Sequence, residues 1–311
     1  MAGRSVTLQT TGITIATVLL FLAPGVSQDS ALKERLVERI TGFHGDAGLY
    51  FKNLKTGETI SIGAQDTFPT ASLIKIPIAV HVFDLLEKRN IAYTDTWIYR
   101  DSLVYGGSGY LQFFKDSTSI TVKDLVHLML TVSDNVAAIW LTKTLGGGDA
   151  VNESMDSLGL SVTRMNSFST GREVQKEKYG WGMTTAEEMG LLMENIFLKR
   201  MLTRESCEEI YRILSHPFWD SYAPTQVPSN LNVASKTGAL NDYRSEVACV
   251  NTPEIDYVIC IITDNNQDQR WVKINEADQF IIDLNRVIFD HFHPEYSKEF
   301  RSIRDSLQFK Y

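Results

Sequence analysis

Strand-like runs occupy the two ends of this chain and are scarce between them. Residues 47–52 and 58–62, and later 231–236, 245–250 and 256–263, are short apolar runs bounded by turn residues. From 71 to 214 the signals are mostly helical, at 74–88, 122–131, 136–145, 184–198 and 204–214. Thr184-Thr185-Ala186-Glu187-Glu188 supplies two overlapping capping boxes for the fourth of these. A lone pair of strands is marginal in water, so the two ends must meet in one sheet. The spacing predicts an α/β (α+β) chain of two lobes. One is an antiparallel sheet, from about 28–70 and 229–293, flanked by terminal helices; the other, from about 71–228, is all-helical. In the first helix Leu32, Leu36, Val37 and Ile40 form the apolar stripe expected to face the sheet.

Residues 1–27 read differently. Arg4 is their only charge, 13–23 is apolar but short for a bilayer, and Pro24-Gly25-Val26-Ser27 ends in small residues. This pattern predicts a cleavable signal peptide over 1–27 and an exported, periplasmic or secreted protein over 28–311. With 38 acidic against 30 basic side chains and no basic run, there is no electrostatic case for nucleic acid. Cys249 and Cys260 lie on neighbouring apolar runs, so an oxidised pair and two buried thiols both stay open. The histidines show no paired metal spacing, and His291-Phe292-His293 reads as surface. No metal and no organic cofactor is expected, and the chain is expected to be a monomer.

Three short motifs fall where the lobes should meet: Ser72-Leu73-Ile74-Lys75, Ser133-Asp134-Asn135 and Lys236-Thr237-Gly238. Alone, each is weak, since S-x-x-K arises by chance about once in a chain of this size. The chain carries its own decoys. Ser30-Ala31-Leu32-Lys33 sits at the polar start of the first helix, and Lys55-Thr56-Gly57 joins two strand-like runs as a hairpin turn. Ser72 instead opens an apolar helix that sets Lys75 one turn away on the same face. A serine hydroxyl attacks an amide only if a base takes its proton, and Lys75 qualifies as a free amine if burial and Lys236 lower its pKa. Ser133 can pass that proton to a leaving nitrogen. Lys236 and Thr237 suit a substrate carboxylate, and Gly238 permits close approach of the backbone. The main-chain N–H groups of Ser72 and Ala239 are the natural oxyanion hole. Together these groups specify acyl transfer from a carboxylate-bearing amide.

The ordered motifs, and the two-lobe pattern from about Leu32 to His293, resemble the class A serine β-lactamases and the related penicillin-binding D-alanyl-D-alanine peptidases. The resemblance implies the β-lactamase/transpeptidase-like fold. By motif it makes Ser72 the acylated serine, Lys75 its activating partner, Ser133 the proton shuttle and Asn135 a contact to substrate amide and lysine. Lys236 and Thr237 become the carboxylate-recognition pair, with Arg244 assisting, one residue short of the family's spacing from the lysine.

The pattern breaks at one place. Class A enzymes carry a deacylating Glu, with Asn four positions on, shortly after a Thr-Arg such as Thr163-Arg164; an ungapped count puts Ser169 and Glu173 there. Glu173 is the first alternative base, while Glu173 and Glu177 also suit a solvated loop face. The resemblance therefore implies a β-lactam-opening serine hydrolase. Its rivals are a penicillin-binding peptidase that acts on peptidoglycan stem peptides and deacylates β-lactams slowly, and a non-catalytic sensor domain on the same fold.

Overall fold

The computed structural model describes residue 3 and residues 28–296. Apart from Gly3, the expected leader lies outside them, and among the described residues no helix is long and apolar enough to cross a membrane. From residue 28 the described chain forms α1 (Gln28–Thr41), β1 (Asp46–Asn53) and β2 (Thr59–Ile62), the two strands joined by the predicted hairpin in which Gly57 has φ +81°. After β3 (Phe68–Pro69), a 3₁₀ turn (Ala71–Ile74) leads into α2 (Lys75–Glu87). The helical lobe continues through a small ribbon of β4 (Thr96–Ile98) and β5 (Ser119–Thr121), then α3 (Val122–Thr131), α4 (Asn135–Thr144) and α5 (Gly147–Ser157). Next come β6 (Arg164–Met165), α6 (Glu173–Tyr179), β7 (Gly182–Thr184), α7 (Ala186–Phe197), α8 (Arg204–Leu214) and the short α9 (Ala223–Gln226). The chain then returns to the sheet as β8 (Asn232–Leu240), β9 (Tyr243–Asn251) and β10 (Asp256–Asp264), and ends in α10 (Glu276–Phe292).

The two ends meet as predicted. The five-stranded sheet runs β2-β1-β10-β9-β8, and its neighbours are antiparallel. Alternation along the strands divides the interior into two cores. Tyr50, Val247, Val258 and Cys260 face the helical lobe with Leu192 and Met193. Leu49, Phe51, Ile259 and Ile261 face α1 and α10, against Leu32, Leu36, Ile281 and Ile288. Strands β9 and β10 are buried on both faces, which is why they read as continuous apolar runs.

Three sequence expectations change, and the open question of the cysteines is decided. Ser72 lies in the 3₁₀ turn and α2 starts only at Lys75; residues three apart eclipse in that geometry, so the lysine still sits over the serine. Val37 is exposed, leaving Leu32 and Leu36 as the buried stripe of α1. Cys249 pairs with Val258 and Cys260 with Val247 across β9 and β10, so the cysteines are offset, buried and free. His293 is fully buried between Phe289 and Tyr296, with Glu254 at 3.1 Å from Nδ1, because the chain turns back onto α10 after its last turn.

Candidate active site

Strand β8 is an edge of the sheet, and its far end runs beside the Ala71–Ile74 turn. A methyl group placed on Gly238 would stand 3.2 Å from Ser72 N, 3.1 Å from Thr70 O and 2.7 Å from Ser245 Oγ. Only glycine lets the strand pass this close to the nucleophile's own backbone, so Gly238 serves contact between strand and turn. This brings the Lys236 motif to the Ser72 motif across the lobe boundary. The third motif arrives on the loop between α3 and α4, where Ser133 has φ +59°. Ala71, just before the nucleophile, has φ +41°. Non-glycine residues in this region cost of order 1–3 kcal/mol each and persist where their surroundings hold them.

Asp134 does much of the holding. Its carboxylate caps α4 by accepting from Ala137 N at 2.9 Å, and it also accepts from Tyr110 N at 2.6 Å and Leu111 N at 2.9 Å. Asn135 adds a second tie to the same loop, donating from Nδ2 to Gly106 O at 2.9 Å. One buried carboxylate thus fixes both the turn that carries Ser133 and the loop that faces it.

Lys75 Nζ lies 3.0 Å from Ser72 Oγ, 3.0 Å from Ser133 Oγ, 2.6 Å from Ser133 O and 2.8 Å from Asn135 Oδ1. The last two oxygens can only accept, whereas the hydroxyls can also donate. A neutral amine fits this set: its two N–H groups go to Ser133 O and Asn135 Oδ1, and its lone pair faces the hydroxyls. Burial pushes the Lys75 ammonium well below its ordinary range and the neighbouring Lys236 pushes it further, against a weaker pull from Asp134. Lys236, also buried, donates to Ser133 Oγ at 3.0 Å and to Thr237 O at 2.8 Å, and burial lowers its pKa to about 7. Ser133 Oγ therefore bridges the two lysines, placed to relay a proton.

Ser72, Ser133, Thr237, Gly238, Ala239 and Arg244 line one cleft of about 680 Å³. Arg244 pairs with Ala239 across β8 and β9. Its Nε donates to Asp278 Oδ1 at 3.1 Å, its Nη1 to Tyr243 O at 2.8 Å and to Leu240 O, and its guanidinium lies 4.6 Å from the Trp271 ring centroid. Arg244 thus stands at the edge of the cleft with its Nε on Asp278 and its Nη1 on main-chain carbonyls. The loop between β6 and α6 departs from the family pattern as the sequence suggested. Ser169 Oγ donates to Met165 O at 2.8 Å and accepts from Asn152 Nδ2 at 3.3 Å, turned toward α5. Glu173 is exposed at the start of α6, and no polar contact joins it to Ser72, Lys75 or Ser133. Tyr105 stacks edge-on with Trp181 at 5.2 Å and Tyr243 is in the core.

Sequence reasoning missed Asp134, Asp278, Trp219 and Trp271. Two of these had a signal: Asp134 and the pair Asn275 and Asp278 stand at helix starts, where capping is expected. The tryptophans had none, since their place depends on how loops from both lobes converge.

The sequence profile of the β-lactamase enzyme family matches residues 31–292. The β-lactamase BRO-1 of Moraxella catarrhalis is 22% identical over 239 residues, 75% of each chain. The solved structure of PBP-A superposes with a TM-score of 0.76 at 23% identity, over 85% of this chain and 97% of that one, and a mutant of it is known as the acyl-enzyme complex with penicillin G. A β-lactamase from Sphaerobacter thermophilus gives 0.76 at 25% identity, over 85% and 98%.

Two outcomes follow from the lysine geometry. Ser72→Ala should abolish covalent labelling by a fluorescent penicillin while Ser30→Ala leaves it intact, and Lys75→Ala should slow labelling roughly 10³-fold, as loss of a general base does. Labelling that survives Ser72→Ala would refute the assignment.

The acylation rate constant kcat/KM should be bell-shaped in pH. As pH rises, Lys75 loses its proton and becomes competent, giving the acid limb; Lys236 then loses the charge that attracts the carboxylate, giving an alkaline limb near its pKa of about 7. Lys236→Arg, whose guanidinium stays charged, should shift the alkaline limb upward. An unmoved limb would assign it to another group.

Proposed function

The chain belongs to the β-lactamase enzyme family, and on that premise we propose that it opens β-lactam amides through an ester on Ser72 and releases the product slowly. The observation that carries the first half is the placement of Ser72 Oγ, Lys75 Nζ, Ser133 Oγ and Lys236 Nζ in one buried chain of 3.0 Å contacts. In the forward step Ser72 Oγ bonds to the lactam carbonyl carbon as its proton passes to Lys75. The C–N bond then breaks, and Ser133 delivers a proton to the leaving nitrogen while recovering one from a lysine. The N–H groups of Ser72 and Ala239 receive the carbonyl oxygen, and Lys236, Thr237 and Arg244 hold the carboxylate.

The second half rests on the loop between β6 and α6. Hydrolysis of the ester needs a base that orients water, commonly worth about 10²- to 10⁴-fold. Ser169 cannot serve, being a hydroxyl turned toward Asn152, and Glu173 is exposed on α6. The same observation supports a second reading, a penicillin-binding peptidase whose own substrates are stem peptides. Rapid acylation with weak turnover is expected, and time-resolved mass should show a persistent β-lactam adduct. If turnover is instead fast, Glu173→Gln should trap the adduct; fast turnover indifferent to Glu173 and Glu177 would refute this account of the loop.

We further propose that the protein acts after export, its leader removed near Ser27, a reading supported by the short apolar stretch and small residues of 1–27. Intact mass of the exported fraction should begin near Gln28. A full-length, membrane-retained product would point to an uncleaved anchor instead.

A further inference from the structure

The cleft does not stop at the carboxylate anchor. Beyond Thr237 and Arg244 it continues along a wall of Trp219, Tyr222, Trp271, Val272, Ile274 and Ile282. Trp271 is 66% exposed and Trp219 46%, with Val272 and Ile274 close to half exposed beside them. Large apolar side chains left open together in a concave surface mark a binding site.

Both indole rings are fixed. Trp219 donates from Nε1 to Val132 O at 3.2 Å, the carbonyl just before Ser133, and Phe218 stands edge-on against it at 5.1 Å. Trp271 donates from Nε1 to Asn241 Oδ1 at 2.8 Å, in the turn between β8 and β9, and lies over the Arg244 guanidinium. One ring is tied to the helical lobe and the other to the sheet hairpin, so each lobe contributes one ring to the cleft lining. With each N–H already satisfied, what they offer a ligand is π-face and apolar edge, already oriented.

We propose that these rings form a subsite for a planar aryl group on the amine fragment of the substrate, which makes cephalosporin-like β-lactams with an aryl substituent the preferred class. The inference rests on the acyl-Ser72 reading and extends it. Because the lactam is cyclic, the whole opened molecule stays on Ser72; the carboxylate belongs to the part of it that carries the released nitrogen. Once that carboxylate meets Lys236, Thr237 and Arg244, a substituent on the adjacent ring carbon points past Arg244, toward Trp271. Penicillins have no aryl group there; cephalosporins accept one at that carbon. A stem peptide that ends in a small amino acid would leave this part of the cleft unfilled.

The test uses two cephalosporins with the same acyl side chain, one bearing methyl and the other a styryl-type aryl group next to the carboxylate-bearing carbon. Acylation of the whole protein is followed by stopped-flow and intact mass, each rate normalised to the compound's alkaline hydrolysis. Wild type should favour the aryl compound by about tenfold, the range in which aromatic pairs contribute. Trp271→Ala and Trp219→Ala should each bring that ratio toward one, and Trp271→Phe, which keeps an aromatic face, should restore most of it. A normalised ratio near one in wild type, or a preference indifferent to the tryptophan variants, would overturn the subsite alone. Absence of both adduct and enzyme-dependent hydrolysis with either compound would overturn the functional reading together with the subsite.

Discussion

Two lysines buried around one serine hydroxyl set the terms for everything else in this molecule. Lys75 and Lys236 both reach Ser133 Oγ at 3.0 Å, and neither is open to solvent. Two ammonium groups cannot share such a site without a large electrostatic cost, because burial penalises each charge and each charge penalises the other. The cost is avoided if one lysine is neutral. Lys75 is the one whose surroundings fit an amine, with two carbonyl acceptors and two hydroxyls, and it is the one next to Ser72. The pKa of Lys236 is lowered to about 7 by burial alone, and its Nζ donates to Ser133 Oγ and Thr237 O.

That arrangement depends on three chain segments converging from far apart in sequence. The edge strand β8 supplies Lys236, the 3₁₀ turn before α2 supplies Ser72 and Lys75, and the α3–α4 loop supplies Ser133. Gly238 sets how closely strand and turn approach, and Asp134 sets the loop. The carboxylate that pulls on Lys75 is itself held by backbone N–H groups, and its pull is weaker than the effects of burial and of Lys236.

The local chemistry and the layer order were legible in the sequence; the long-range pairings were not. Ser72, Lys75, Ser133 and Lys236 could be named because their types and order are rare together, and the sheet because strand-like runs stood only at the ends. Arg244 and Asp278 are 34 residues apart, and Asp134 and Tyr110 are 24 apart, with no periodicity to couple either pair. His293 shows the same limit in reverse. It looked like surface because it follows the last helix, and it is buried because the chain folds back there. Burial at such a place is decided by tertiary packing, which overrides what the local pattern suggests.

The cleft and the loop also constrain each other. A site that forms an ester easily but lacks a base for water holds its acyl group for a long time. Such a site gains most from discrimination before the bond forms, since a poor choice occupies it. In acyl transfer that discrimination comes through kcat/KM for acylation, where contacts with the carboxylate-bearing ring of the intact substrate count. In the subsite proposed above, Arg244 stacked on Trp271 meets that ring, the guanidinium at its carboxylate and the indole at whatever is attached beside it. Asp278 holds the guanidinium through Nε at 3.1 Å, and Tyr222 holds Asp278 in turn with a 2.6 Å hydrogen bond. On that proposal selectivity is set before the ester forms, on rigid aromatic and ionic contacts, and not on the loop that carries Ser169 where the family pattern has a carboxylate.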